Sequence, residues 1–308
     1  MSGAEIFLEF ILFPGLLFTA LAGLLTSWVD RKVTAMVQMR VGPPLLQPLY
    51  DLRKLLIKDT CVPEGGATGL FLVAPLIGFA GVTLASMILW RSLLNTEATF
   101  VGDLIVVIYL LVMPALGVIL GSFASRNPLA SIGGSREIKL MVAYELPLVL
   151  AVLVPVIQAG SIRLGDLVAA PSPAGSLSGI LALLVCIACM QAKLTIVPFD
   201  MPEAETELSG GALIEYSGPP LAIFKLTRAM MLFTLPVLLA ALFFGGAMTA
   251  PGWLPKVIGL LVWFLLVALT IVIRNTTPRV RTDQAVRFFW GPVSGVAAIA
   301  VSLAWAGW

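Results

Sequence analysis

The sequence predicts an all-α fold, a polytopic membrane helix bundle of about eight transmembrane helices with an amphipathic interfacial helix in the first cytoplasmic loop. Three observations carry it. Of 308 residues, 59% are hydrophobic and only 12% charged, about half the charged share of an ordinary soluble domain. Eight apolar runs come close to the roughly 20 residues that a helix needs to cross a bilayer. Lysine and arginine gather in every second loop between those runs, as the preference for positive charge on the cytoplasmic side requires.

The runs are 6–29, 70–90, 103–124, 138–159, 179–197, 221–244, 257–273 and 288–306. No basic stretch precedes the first one, and Glu5 and Glu9 stand there instead. It reads as a retained span and not as a cleaved signal peptide. Pro75, Pro114, Pro147, Pro155 and Pro236 interrupt several runs. Such breaks are tolerated where neighbouring helices or buried polar groups satisfy the freed carbonyls. There is no internal repeat and no low-complexity linker, so residues 1–308 read as a single integral membrane domain.

Loop one holds Arg31, Lys32, Arg40, Arg53, Lys54 and Lys58, loop three holds Arg126 and Arg136, and loop seven holds Arg274, Arg279, Arg281 and Arg287. The opposite loops offer Arg91, Arg163 and Lys256. The odd-numbered loops are therefore expected in the cytoplasm, with both termini outside. In loop one, Leu46, Leu49, Leu52, Leu55 and Leu56 share a helical face, with Asp51, Arg53, Lys54 and Lys58 mostly off it. That pattern suits a helix lying in the membrane interface, and equally a connecting helix packed on the bundle.

Composition also excludes chemistry. With no histidine, histidine-ligated haem, histidine metal sites and Ser-His or Cys-His catalysis fall away. Cys186 and Cys189 form a CxxC inside the apolar stretch 181–190, and they read as small apolar helix residues. The net charge of +2 argues neither for nor against nucleic acid, but no basic, aromatic-laced run is present, so nucleic acid is not expected as a partner.

Ionisable residues in or beside apolar runs carry the functional signal. Asp200, Glu203, Glu205 and Glu207 fall within eight residues, directly after the fifth run. Part of this suits a helix start, with Asp200 as N-cap, Pro202 in the first turn and Glu203 at the third position. Glu207, four residues after Glu203, would then share its face and repel it. The alternative is an entry for protons or other ions, continued by Glu215. Glu145 lies about 13 Å along a helix that starts near Arg136, and an acid at that depth costs about 2.5–3.5 kcal/mol on insertion scales. A proton relay accounts for it better than a structural hydrogen bond. Lys225 and Arg228 sit three apart inside the sixth run and need acidic partners, for which Glu145 and Glu215 are candidates. Lys193, near the end of the fifth run, either joins them or snorkels to the headgroups.

Several stretches resemble the H-subunit family of complex I: Asp30-Arg31-Lys32, Gln38-Met39-Arg40-Val41-Gly42-Pro43, Gln47-Pro48, Asp51 with Lys54-Leu55-Leu56, Ser135-Arg136-Glu137, Ala143-Tyr144-Glu145, and 198–207 followed by Glu215-Tyr216-Ser217. They run in the family's order from about residue 30 to 230. Two departures point to one branch. The quinone-reducing members carry an Asn-Arg pair just before Pro-Phe-Asp, where this chain has Lys193-Leu194-Thr195-Ile196-Val197. Their Gly-Pro segment is longer, whereas Pro43-Pro44 here runs almost straight to Gln47-Pro48. Both features are similar to the membrane anchor of energy-converting nickel–iron hydrogenases, including the formate hydrogenlyase type.

The resemblance implies a non-catalytic subunit of a translocating oxidoreductase complex in a bacterial or archaeal cytoplasmic membrane. It would carry no cofactor of its own. Iron–sulfur clusters and the nickel–iron centre would reside in soluble hydrogenase-like large and small subunits and an iron–sulfur subunit, with antiporter-like membrane subunits alongside. Arg31, Arg40, Asp51, Arg136 and Glu137, with the Gly42-Pro43-Pro44 turn and Gly133-Gly134, would meet the soluble arm. Glu145, Lys193, Asp200, Glu203, Glu205, Glu207, Glu215, Lys225 and Arg228 would form the ion path, and no quinone would bind. The alternative within the family is the H subunit of a quinone- or phenazine-reducing dehydrogenase, which lines the quinone site. An independent secondary transporter is the alternative of another class, but it needs the repeats that are missing here. A purely structural anchor is the third.

Overall fold

The computed structural model describes residues 3–249 and 252–308. Helices α1 (Gly3–Ile11) and α2 (Leu16–Val37) make the first span, broken at Pro14 and Gly15. Helix α3 (Gln47–Ile57) lies in the first loop, and α4 (Thr68–Leu94) is the second span. Helices α5 (Asp103–Leu110) and α6 (Met113–Ala124) form the third, interrupted where Pro114 opens α6. The long α7 (Pro128–Ala159) is capped by the Asn127 side chain, which accepts from the Leu129 N–H at 2.8 Å. Helix α8 (Leu164–Ala169) is a short, mostly buried helix packed on α11, before α9 (Leu177–Lys193). Next come α10 (Glu205–Leu208), α11 (Gly218–Met248), α12 (Leu254–Thr276), α13 (Thr282–Phe288) and α14 (Ser294–Trp305).

Helices account for every regular element among the described residues. Seven are long and apolar enough to cross a membrane. The other expected span is the shorter α9, which stops at Lys193 and not at 197 because Thr195 takes a left-handed φ of 50°. Between α13 and α14 the helix widens into a π turn at Phe289–Val293 around Pro292. Proline cannot donate to the helical ladder; the Phe289 carbonyl accepts from both the Ser294 N–H and the Ser294 hydroxyl, the latter at 2.7 Å.

Helix α11 is the axis of the bundle. Every residue from 229 to 243 is buried, against α2, α4, α12, α8 and α9. An apolar helix enclosed on all sides belongs to the core and not to the lipid boundary. Around it, α2, α4, α7 and α12 present exposed large apolar residues, among them Leu21, Leu25, Leu76, Leu153, Leu260, Leu261 and Leu265. That surface is stable only against lipid or other apolar chains. Helices α4 and α6 approach through glycines. A Cβ at Gly78 would stand 2.8 Å from the Pro114 Cα, and one at Gly117 would stand 2.7 Å from the Ala74 carbonyl oxygen. Small residues at such crossings let membrane helices gain van der Waals contact along their backbones.

Helix α3 packs on the bundle and still exposes apolar side chains. Pro48 is buried, and Asp51, Leu52 and Leu55 are half-buried, on the side that packs on α11 and α2. Leu45, Leu46, Leu49, Tyr50, Leu56 and Ile57 are exposed on the other sides. The Arg31 guanidinium donates to Asp51 at 2.6 Å and fixes α3 to α2.

Candidate functional site

The charged groups converge at the end of the bundle where α9 gives way to α11, around a cavity of about 370 Å³. Its walls come from α6, α7, the segment 193–214 and the first turns of α11. Five ionisable side chains line it: Glu137, Lys193, Glu203, Lys225 and Arg228.

The segment 194–210 is held in place mainly by arginines from elsewhere. Arg228 of α11 donates to both carboxylate oxygens of Glu203, at 2.7 and 2.6 Å, and to the Thr195 carbonyl at 2.6 Å. Arg136 of α7 donates to Glu207 at 2.7 Å and to the Met201 carbonyl at 3.4 Å. Arg279, beyond α12, pairs with Asp200 at 2.9 Å, and the Val280 N–H donates to the Pro198 carbonyl at 3.1 Å. Gln191 of α9 donates to the Val197 carbonyl at 2.8 Å. Charge-assisted bonds of this kind are stronger than bonds between neutral groups. Burial pushes the Asp200 carboxyl above its ordinary range, although Arg279 opposes the shift. Both ends of the segment turn through left-handed residues: Thr195 (φ 50°) at one end, and Ser209 (52°), Gly210 (111°) and Gly211 (54°) at the other. A β-branched residue at positive φ is an outlier and costs about 1–3 kcal/mol. Here it aims the Thr195 carbonyl at Arg228.

A second line of groups runs along α7 into the bundle. Glu137, Tyr144 and Glu145 occupy positions i, i+7 and i+8, which fall on one side of a helix. Glu137 and Tyr144 are 2% and 0% exposed. Glu137 Oε2, the Tyr144 hydroxyl and Glu145 Oε2 are buried without a hydrogen-bond partner among the described residues. Lys193 closes the line, with its ammonium 3.9 Å from Glu145 Oε2 and 5.5 Å from the centre of the Tyr144 ring. Beside these, Arg274 of α12 pairs with Asp30 of α2 at 2.7 Å. Among the described residues no group of three or more His, Cys, Asp or Glu side chains is placed to share a metal ion.

This arrangement of charges sits on a chain whose residues 10–305 match the NADH dehydrogenase family. The chain belongs to that family. It is 36% identical to the H subunit of the NADH-quinone oxidoreductase of Brevibacillus brevis, over 96% of this chain and 92% of that one. It is also 36% identical to the Geobacillus kaustophilus H subunit, over 85% and 82%. Among solved structures it is similar to a chain of the membrane-bound sulfane sulfur reductase, an archaeal respiratory membrane complex. That match has a TM-score of 0.87, 26% identity, and covers 97% of this chain and 99% of the other. This chain is thus a membrane component of a complex I-like complex, of the H-subunit type.

Within this fold the site differs from the sequence expectation at several residues. No helix begins at Asp200. Residues 201–203 form a turn, and α10 starts only at Glu205, whose side chain lies outside the described residues. Glu203 and Glu207 therefore do not share a helical face. Each holds a different arginine, and the expected repulsion is absent. Arg228 pairs with Glu203 and not with Glu145 or Glu215, because the loop folds back under α11. Glu145 takes Lys193, and Glu215 accepts from the Asn127 side chain. Lys225 is exposed at the cavity mouth and not buried, because it lies about one turn nearer the start of α11 than Arg228. Lys193 does not snorkel, because its side chain is 2% exposed.

Glu137 does not lie on the surface with Arg136. One helical residue rotates it by about 100°, from the Arg136 side into the cavity. Gly133 and Gly134 are buried as well. A Cβ at Gly133 would stand 2.8 Å from the Pro202 carbonyl, and Gly134 packs on Ser122. Both glycines seat α7 against its neighbours. Arg31 and Arg40 are exposed, with Arg40 donating to Gln38. Sequence pattern assigns Tyr144, Arg274 and Arg279 no part in the site: the arginines appear only as loop-seven charges. Tyr144 is legible only as a polar group one residue before a buried acid.

Proposed function

We propose that this chain is the membrane anchor and ion-translocation subunit of an energy-converting, hydrogenase-like complex. It couples redox chemistry in a soluble iron–sulfur and nickel–iron arm to the movement of protons or sodium ions. The observation that carries the reading is the line Glu137–Tyr144–Glu145–Lys193, which leads inward from a cavity roofed by an arginine-clamped loop. Polar groups left unpaired in a membrane bundle are expensive and mark ion paths. Acids that change partner when their surroundings move exchange protons with their neighbours.

Arg31, Arg40 and Arg136, with the 194–210 loop, would face the arm. A charge or conformational change there would reach Glu203 and Glu207 first, then Glu137 and Glu145. Antiporter-like membrane subunits would continue the path. The odd loops would be cytoplasmic and both termini outside, in a bacterial or archaeal cytoplasmic membrane. The chain binds no quinone in this reading. Support comes from Lys193 to Val197 in place of the Asn-Arg pair, from the shortened first loop, and from five ionisable side chains around the cavity.

A second reading has a specific observation in its favour. The similar sulfane sulfur reductase complex suggests that the arm reduces a sulfur compound and not protons. The quinone-reducing relatives mark the third candidate acceptor. Purifying the complex through a tag on this chain separates the three. Stoichiometric nickel with hydrogen evolution from reduced ferredoxin is the expected result. Sulfur reduction without nickel, or quinone-dependent turnover, overturns the hydrogenase assignment.

A further inference from the structure

Arg228 stands beside two acids and is bonded to one. Its hydrogen bonds go to the loop: to both oxygens of Glu203 and to the carbonyl of Thr195. The other acid, Glu137, lines the same cavity, is 2% exposed, and leaves Oε2 without a partner among the described residues. Glu137 lies within electrostatic reach of both Glu203 and Arg228. A buried carboxylate is tolerable when neutral, or when a cation is hydrogen-bonded to it.

Of the other cations that line the cavity, Lys193 stands 3.9 Å from Glu145; Arg274 and Arg279, outside its lining, hold Asp30 and Asp200. Exposed Lys225 lies within reach of Asp51. Arg228 is therefore the cation that Glu137 shares with Glu203. The loop that carries Glu203 has left-handed residues at both ends, Thr195 and 209–211. A few such positions suffice to redirect a segment. The carbonyl that steadies Arg228 belongs to one of them.

We propose that Arg228 is an exchangeable counter-ion. With the loop seated it holds Glu203. When the loop withdraws Glu203 and the Thr195 carbonyl, it turns to Glu137 and ionises it. This rests on the ion-translocation reading and names the device that converts loop movement into a charge step. Protons balance across the exchange. Glu137 gives one toward the Tyr144 hydroxyl and Glu145, while Glu203, left without its cation, takes up one from the bulk solution at the cavity mouth, so that one proton enters for each one passed inward. No electrons move.

The test uses the whole complex in proteoliposomes, driven by reduced methyl viologen. It records ions moved per electron pair by a pH-sensitive dye and by radioactive sodium. Infrared difference spectra report protonated carboxyl groups. Glu137→Gln and Glu203→Gln are each expected to lower the ion ratio at least five-fold in assembled complex, and the double variant to be no worse than either single one. A protonated-carboxyl band that changes on turnover is expected to vanish in Glu137→Gln. If Glu203→Gln fails to assemble, Glu203→Asp takes its place with the same expectation. Ratios at the wild-type level in the single variants, losses that multiply in the double variant, or a turnover band that persists in Glu137→Gln overturn the exchange. Glu145→Gln separates the two levels. Should it uncouple while Glu137→Gln does not, the exchange alone is wrong. Should neither uncouple, the ion-path reading fails with it.

Discussion

Arg228 grips both carboxylate oxygens of Glu203 across 25 residues of chain, and so ties the end of the loop after α9 to the central helix of the bundle. The pair is only partly screened, with side chains 38% and 31% exposed. Its value lies between that of a surface pair, about 0.2–1 kcal/mol, and that of breaking a buried one, about 3–5 kcal/mol. Arg228→Lys keeps the charge but loses the fork. Amides of residues 194–210 are expected to exchange several-fold faster in that variant, with α7 unchanged. Equal protection in both proteins would mean that Arg228 does not clamp the loop.

The second clamp predicts a rescue. Arg136→Glu places like charges at Glu207 and frees the Met201 carbonyl. It is expected to release the soluble arm from membranes. The swapped pair Arg136→Glu with Glu207→Arg is expected to restore binding. Co-sedimentation of the arm with membranes reads both, and an arm that stays bound in the single variant contradicts the interface.

The helix crossing of α4 and α6 predicts a purely structural loss. A side chain at Gly78 meets the Pro114 backbone, which cannot give way as a flexible side chain does. Overpacking costs about 1–3 kcal/mol. Gly78→Leu is expected to lower the thermal midpoint and yield of the purified complex. The same substitution at Gly69, which faces open space, is expected to leave both unchanged.

Helix α3 carries a pH dependence of known sign. Burial raises the Asp51 carboxyl, but hydrogen bonds from Arg31 and Gln47, with the Arg31 charge, outweigh it and hold the group below the usual carboxylate range. The folded value lies below the unfolded one. The stabilisation is therefore complete above the usual range and lost as pH falls through the lowered value. Protection factors of amides 47–57, corrected for intrinsic exchange, are expected to drop below about pH 4. Asp51→Asn is expected to abolish that step, and a step that survives in it assigns the effect elsewhere.

The spans were legible because lipid imposes a length and an apolar composition that soluble folding does not. Even Lys193 and Glu145 stood out as charges where none belong. The ends were less legible. Helix α9 stops early because Thr195 is forced left-handed by the loop it enters, which no local preference announces. Pairings were not legible at all: Arg228 meets Glu203 only because the 194–210 segment folds back, and Arg279 meets Asp200 only because the chain after α12 returns to the same end. The four-acid run carried the N-terminal signature of a helix. Three arginines from distant elements won over that local signal, spreading the acids along a clamped loop. Glu137, which the motif groups with Arg136, lies one helical step from it and faces the cavity.

Ions moved per electron pair in proteoliposomes, compared between the native complex and Glu145→Gln, test the ion path most directly. Glu145 has one oxygen buried without a hydrogen-bond partner among the described residues and Lys193 at 3.9 Å. The amide keeps the shape and loses the exchangeable proton. The expected result is an assembled complex whose ion ratio falls several-fold, with slower redox turnover if coupling is tight. An assembled variant that moves as many ions per electron pair as the native complex would contradict an ion path through this chain and leave it a structural anchor.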